Sequence, residues 1–131
     1  MRFMMLMIPE GYAAAAPDTK PSAEAIETMM KYNDDLKKAG VLLSLEGLHP
    51  AATGARISFK GGQPTVTDGP FADMKEALGG YWMLDLNSRE EAIEWARRCP
   101  AAEGDIIEIR QVFEIDEFPE DIQRAVRTFD G

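Results

Sequence analysis

Residues 3–8 form an unbroken apolar run, FMMLMI, held between Arg2 and Pro9-Glu10. The run is too short for a membrane span, which needs about 20 residues, and shorter than the roughly 7–15 apolar residues of a secretory core. Arg2 before it and the alanines at 13–16 after it imitate a signal peptide, but Pro9-Glu10 interrupt that pattern. A run of this length, ended by proline, reads as a strand over residues 2–8. Once extended, it sets Phe3, Met5 and Met7 on one face and Met4, Leu6 and Ile8 on the other. Neither face is polar, so the sheet that holds this strand needs a cover on both sides.

The rest of the chain supplies one of these covers. Residues 9–21 contain Pro9, Gly11, Pro17 and Pro21 and form a loop, long enough to suggest a role. Ser22 caps a helix with Glu24 in its first turn. Ile26, Met29, Met30, Asn33 and Leu36 repeat at helical spacing until Gly40 stops it. Residues 41–48 form a second strand. Residues 56–60 alternate, which predicts Ile57 and Phe59 inward with Arg56, Ser58 and Lys60 outward. Gly61-Gly62 turn the chain back through residues 63–67, and Pro64 marks the return as an edge strand. Residues 81–86 form the next strand. Ser88 with Glu91 forms a capping box for a helix carrying Ala92, Ile93 and Ala96, which Pro100 ends. A long last strand covers residues 105–115, with Ile107, Ile109, Gln111, Phe113 and Ile115 on one face. Residues 121–129 set Ile122, Ala125, Val126 and Phe129 along one side of a short helix that needs something to dock on.

The order β-α-β, hairpin, β-α-β predicts an α+β fold of the ferredoxin-like kind, an antiparallel sheet with two helices on one face. The chain reads as one domain over residues 1–131 with a C-terminal extension at 116–131. Two helices cover one face only, and the strands at 41–48 and 81–86 are also apolar on both sides. A homodimer built on the uncovered face is the economical second cover. The alternatives are a functional apolar patch or the C-terminal segment folding over it.

Charge narrows the function classes. The 14 Lys and Arg stand against 23 Asp and Glu, a net charge of −9, the wrong sign for a phosphate-backbone binder. One cysteine excludes an internal disulfide and a multi-cysteine zinc site, and one histidine excludes an HExxH helix. No phosphate loop, nucleophile elbow or dinucleotide fingerprint is present, and the reading assigns no cofactor and no metal. A free thiol without disulfides points to a bacterial-type cytoplasm.

The most distinctive stretch is residues 67–81, TDGPFADMKEALGGY. Asp68-Gly69-Pro70 forces a turn, Phe71 anchors it, and Gly79-Gly80 allow close backbone approach. This stretch resembles the DGPF group of small bacterial proteins within the YCII-related family. Leu45-Glu46-Gly47-Leu48, the hairpin, Glu91-Ala92-Ile93-Glu94-Trp95-Ala96, Cys99-Pro100 and Ile107-Glu108-Ile109-Arg110 fit the same pattern in order, over residues 1–115. The resemblance implies a ferredoxin-like fold and a dimeric α/β-barrel assembly. It implies little about activity, although some members are associated with extracytoplasmic-function sigma factors. The wider family carries a His on the first helix and an Asp before the proline that ends the second. Those positions correspond here to Met29 and Cys99, and a thioether with a thiol cannot act as a His–Asp acid/base pair.

Other residues then become candidates for chemistry. His49, the sole imidazole, stands at a strand end, where pairing with Asp68 or Glu46 would raise its pKa; otherwise it is an exposed loop histidine. Asp68 is a carboxylate base or a turn former bonded to its own backbone. Lys75 and Glu76 are a solvated pair or a pocket rim. Arg56 and Arg110 are anion holders or partners of strand carboxylates. Phe71 and Tyr81 are candidate pocket walls, with Trp82 on the opposite face of its strand from Tyr81 and Tyr12 a lid residue. Cys99, at a helix end, reads as a buried inert thiol.

Two functional readings compete. One is a dimeric module that binds a small molecule or a protein partner, in the sigma-factor-linked setting implied by the resemblance. The other is an enzyme for a small polar substrate, with His49 or Asp68 as acid/base in a cleft near the dimer interface.

Overall fold

The computed structural model describes residues 1–130. β1 (Arg2–Ile8), α1 (Ala23–Lys38), β2 (Leu42–Gly47), β3 (Ala55–Lys60), β4 (Gln63–Asp68), β5 (Gly80–Asp85), α2 (Arg89–Arg97), β6 (Ile106–Gln111) and α3 (Glu120–Asp130) follow in that order. Four strands form one sheet in the order β2-β5-β1-β6, with every neighbouring pair antiparallel. The doubly apolar β1 is thus an inner strand, as its composition requires. The topology is α+β with three helices and is consistent with the ferredoxin-like arrangement.

Local chemistry sets the helix limits. Ser22 Oγ accepts from the Ala25 amide at 3.1 Å. Gly40, at φ 75°, ends α1, with its amide donating to Lys37 O and that of Val41 donating to Leu36 O. That pair of bonds is the Schellman arrangement. In α2, Ser88 Oγ accepts from the Glu91 amide at 3.2 Å. The Glu91 carboxylate reaches one residue further back than a capping box requires, to the Asn87 amide at 3.0 Å.

The core lies between the sheet and α1 with α2. Phe3, Met5 and Met7 from β1 meet Trp82 and Leu84 from β5, Tyr32 and Leu36 from α1, and Ala92 from α2. Tyr32 stands edge-on to Trp82, ring centres 5.9 Å apart. Its hydroxyl donates to Trp95 O at 2.6 Å, and burial raises its pKa so that it stays neutral.

Register assigns the opposite face of the sheet. Met4 pairs with Met83 and Leu6 with Tyr81, flanked by Ser44 and Glu46 on β2 and by Glu108 and Arg110 on β6. No helix among the described residues covers this stripe. No helix among them is long and apolar enough to cross a membrane.

Two sequence expectations are corrected. β3 and β4 form a separate two-stranded sheet in which every residue is exposed, Ile57 and Phe59 included. Alternation identifies which side chains share a face, and here that face lacks cover within the chain. The last strand stops at Gln111, which pairs with Phe3, and the next amide, that of Val112, donates to Arg2 O at the start of β1. Phe113 leaves the ladder and stacks on Phe118 at 5.1 Å. The loop at 9–21 also contains a short 3-10 turn, Tyr12–Ala14. The expected C-terminal helix is present as α3, and no residue in it is buried.

Candidate functional site

The first turns of α1 do not close on the sheet. Between them and the ends of β2 and β5 lies a cleft of about 290 Å³. Its walls are mostly apolar: Met7, Ala25, Ile26, Met29, Leu45 and Trp82, with Pro21 at the mouth and Asn33 among them. Past Gly47 and Gly79 the cleft runs into a more open depression of about 540 Å³. That depression is bordered by Tyr12, Lys20 and His49.

Asn33 is the polar group built into this wall. It is 7% exposed and is the buried polar residue of the core region. Trp82 Nε1 donates to Asn33 Oδ1 at 2.7 Å. An indole N–H can only donate, which settles the orientation of the Asn33 amide. The amide nitrogen is left with Met30 Sδ at 3.5 Å, a weak acceptor. A buried donor with capacity to spare therefore stands in an otherwise greasy cleft. Its sequence signal was a polar residue on the apolar stripe of α1. Its partner, 49 positions away, had no signal.

The glycine pair at the cleft mouth is required by close approach. A Cβ on Gly80 would lie 2.6 Å from Glu46 O, and one on Gly79 would lie 2.6 Å from Pro9 Cγ. Small residues here let the 9–21 loop cross the strand ends. Tyr12 fastens that loop by donating from its hydroxyl to Leu48 O at 2.5 Å.

The residues singled out from sequence are spread over several places. Met29 lines the cleft, and Glu46 and Tyr81 also border it. His49 borders the outer depression and is exposed; among the described residues no hydrogen bond or ion pair joins it to Asp68 or Glu46. Asp68 closes β4 beside the Asp68-Gly69-Pro70 turn, whose Gly69 amide donates to Gly54 O at 2.9 Å. Arg56 stacks over Phe71, 4.5 Å from the ring centre, which pins the hairpin base to that turn. Lys75 lies exposed in the 69–79 connection. Arg110 pairs with Glu108 on its own strand at 3.3 Å, on the open face of the sheet. Cys99 packs against the core at the far end of α2, and burial, helped by Asp105, pushes its thiol up to about 11. Met29 lines the cleft and Cys99 does not, although both pack against the same core cluster. Among the described residues no cluster of three or more His, Cys, Asp or Glu could hold a metal ion.

An α+β domain with an antiparallel sheet, helices on one face and a cleft beneath the first helix defines the class. Residues 1–116 match the YCII-related domain, and the chain belongs to that family. A relative from Rhizobium meliloti (strain 1021), described as an uncharacterized protein, is 38% identical over 60 residues, 46% of this chain. The matched segment spans 48% of that relative's length.

Proposed function

We propose that this protein is a dimeric binding module of the DGPF kind. In this reading the cleft under α1 takes a small, largely apolar molecule bearing one hydrogen-bond acceptor, such as a carbonyl. The observation that carries the reading is Asn33, whose Oδ1 is committed to Trp82 while its nitrogen has only a thioether partner inside an apolar cleft. A ligand carbonyl would satisfy that donor at little cost, because the group is already desolvated. Met29 supports the same reading, since an apolar thioether stands where the family resemblance implies an imidazole. The second cover for the sheet is a second copy of the chain, laid on the stripe of Met4, Leu6, Tyr81 and Met83. Sigma-factor-linked regulation, which the resemblance implies, fits a module that senses rather than transforms its ligand. The acid/base reading of His49 and Asp68 lacks a paired imidazole.

The test is a titration with acetophenone and with α-methylstyrene, its isostere in which a methylene replaces the carbonyl oxygen. The readout is the NMR signals of the Asn33 side-chain amide and the Trp82 indole N–H. Saturable shifts for acetophenone, weaker for α-methylstyrene, support the reading. No saturable shift with either probe, or equal affinity for both, overturns it.

A further inference from the structure

Two elements expose apolar faces that the chain itself leaves uncovered. On the β3–β4 hairpin, Ile57 pairs with Val66 and Phe59 with Pro64, so these four side chains share one face. Phe59 is 79% exposed and Val66 65%. On α3, Ile122, Ala125, Val126 and Phe129 recur at helical spacing, and Phe129 is 89% exposed. Isolated exposed apolar residues need no explanation, but two ordered, one-sided apolar faces in one chain do.

The two faces lie at opposite ends of the sheet. The hairpin leaves from the Gly47 and Gly80 end, where β1 finishes. α3 follows the Gln111 end, where β1 begins, and the Arg2–Glu114 ion pair at 2.8 Å ties its base there. The length of β1 separates them, about 20 Å at the rise of an extended strand. Their charges are complementary. The hairpin strands carry Arg56 and Lys60 against a single carboxylate, Asp68, whereas residues 114–121 carry Glu114, Asp116, Glu117, Glu120 and Asp121 and no base.

We infer that α3 of one protomer covers the hairpin of a second copy of this chain, and the reverse. A two-fold axis running across the strands, between two sheets laid face to face, brings one end of a protomer over the opposite end of its partner. Each hairpin then meets the other chain's α3, and both unpartnered faces are buried by one symmetry operation. The basic hairpin is flanked by the acidic base of the helix, which sets the pairing of ends. This inference rests on the dimer proposed above and adds to it which elements lock the two copies together.

The experiment uses the full chain carrying Cys99→Ala, with Phe59→Cys in one sample and Phe129→Cys in another. Their oligomeric state is first measured by light scattering. The two are then mixed, allowed to exchange, and oxidised. Expected is a disulfide-linked pair that contains one chain of each kind, identified by mass spectrometry. Phe59→Lys and Phe129→Glu provide a second measurement. Each alone is expected to weaken the dimer at least about tenfold by sedimentation, and the double variant to recover most of that loss, as lost apolar burial is replaced by an ion pair. A dimer that gives no mixed cross-link and is unaffected by either substitution overturns the inference and leaves the dimer standing. A monomer at all concentrations overturns both.

Discussion

Trp82 and Asn33 are joined through a 2.7 Å indole N–H to amide oxygen bond inside the core, and the same asparagine faces the cleft. Structure and proposed recognition therefore share one side chain. Asn33→Leu strands a buried indole donor and is expected to cost about 1–3 kcal/mol. Trp82→Phe strands the amide oxygen instead. Combining them removes both partners, so the double variant is expected to lose less than the sum of the singles. Urea unfolding followed by circular dichroism measures all three, and strict additivity would count against the bond as a structural pair.

The adjacent glycines at 79 and 80 separate fold from site. A methyl on Gly80 meets the Glu46 carbonyl, which belongs to the β2–β5 ladder and cannot retreat. Gly80→Ala is expected to destabilise by about 1–3 kcal/mol, the usual cost of overpacking. A methyl on Gly79 meets the ring of Pro9 in the 9–21 loop, which can shift. Gly79→Ala should therefore change Tm less and acetophenone affinity more than Gly80→Ala does. Thermal melts beside the NMR titration give both orders, and a reversed ranking would show that the loop is not the movable element.

Local signals were legible in the sequence, and cover was not. Ser22, Gly40 and Ser88 act within a few residues of their own positions, and Gly61-Gly62 both take the positive φ, 57° and 78°, that a tight hairpin demands. The pattern of Ile57 and Phe59 was equally clear, yet it carries no information about what lies opposite. The same gap hid Asn33, since neither its burial nor its indole partner is encoded within α1. β6 ends at Gln111, opposite Phe3 of β1. Strand periodicity at 105–115 continues past the point where pairing stops. Leu43 sits at an irregularity in the β2–β5 register, which shifts between Leu42 and Ser44 and cannot be read from alternation.

Cys99 makes alkaline stability a test of core packing. Burial, then the nearby Asp105 charge, raises its thiol from 9.0 to about 11. An acid whose pKa is higher folded than unfolded holds its proton longer in the native state. The associated stability is complete below pH 9, declines as pH rises, and is lost once pH passes about 11. Denaturant melts across this window should show that decline, and Cys99→Ala should remove the part that starts at pH 9 while leaving the later part that Tyr32 contributes above its ordinary value of 10.0. At neutral pH the thiol should react with a disulfide reagent far more slowly in the native chain than in the unfolded one. Equal rates would place the thiol in solvent.

The open face of the sheet offers the most direct test of assembly. Leu6 lies on it beside Tyr81, and Met4 lies beside Met83. If a second copy covers that stripe, Leu6→Glu places a carboxylate in a desolvated interface, where an unpaired charge costs several kcal/mol. In a free monomer the same substitution faces water on the half-exposed side of the sheet and costs little. Leu6→Glu is therefore expected to turn a dimer into a folded monomer, with a native circular dichroism spectrum and half the mass by light scattering. Glu108→Gln, at the rim of the same face, is expected to leave the mass unchanged. A Leu6→Glu chain that keeps the dimer mass would locate the interface elsewhere than on this sheet.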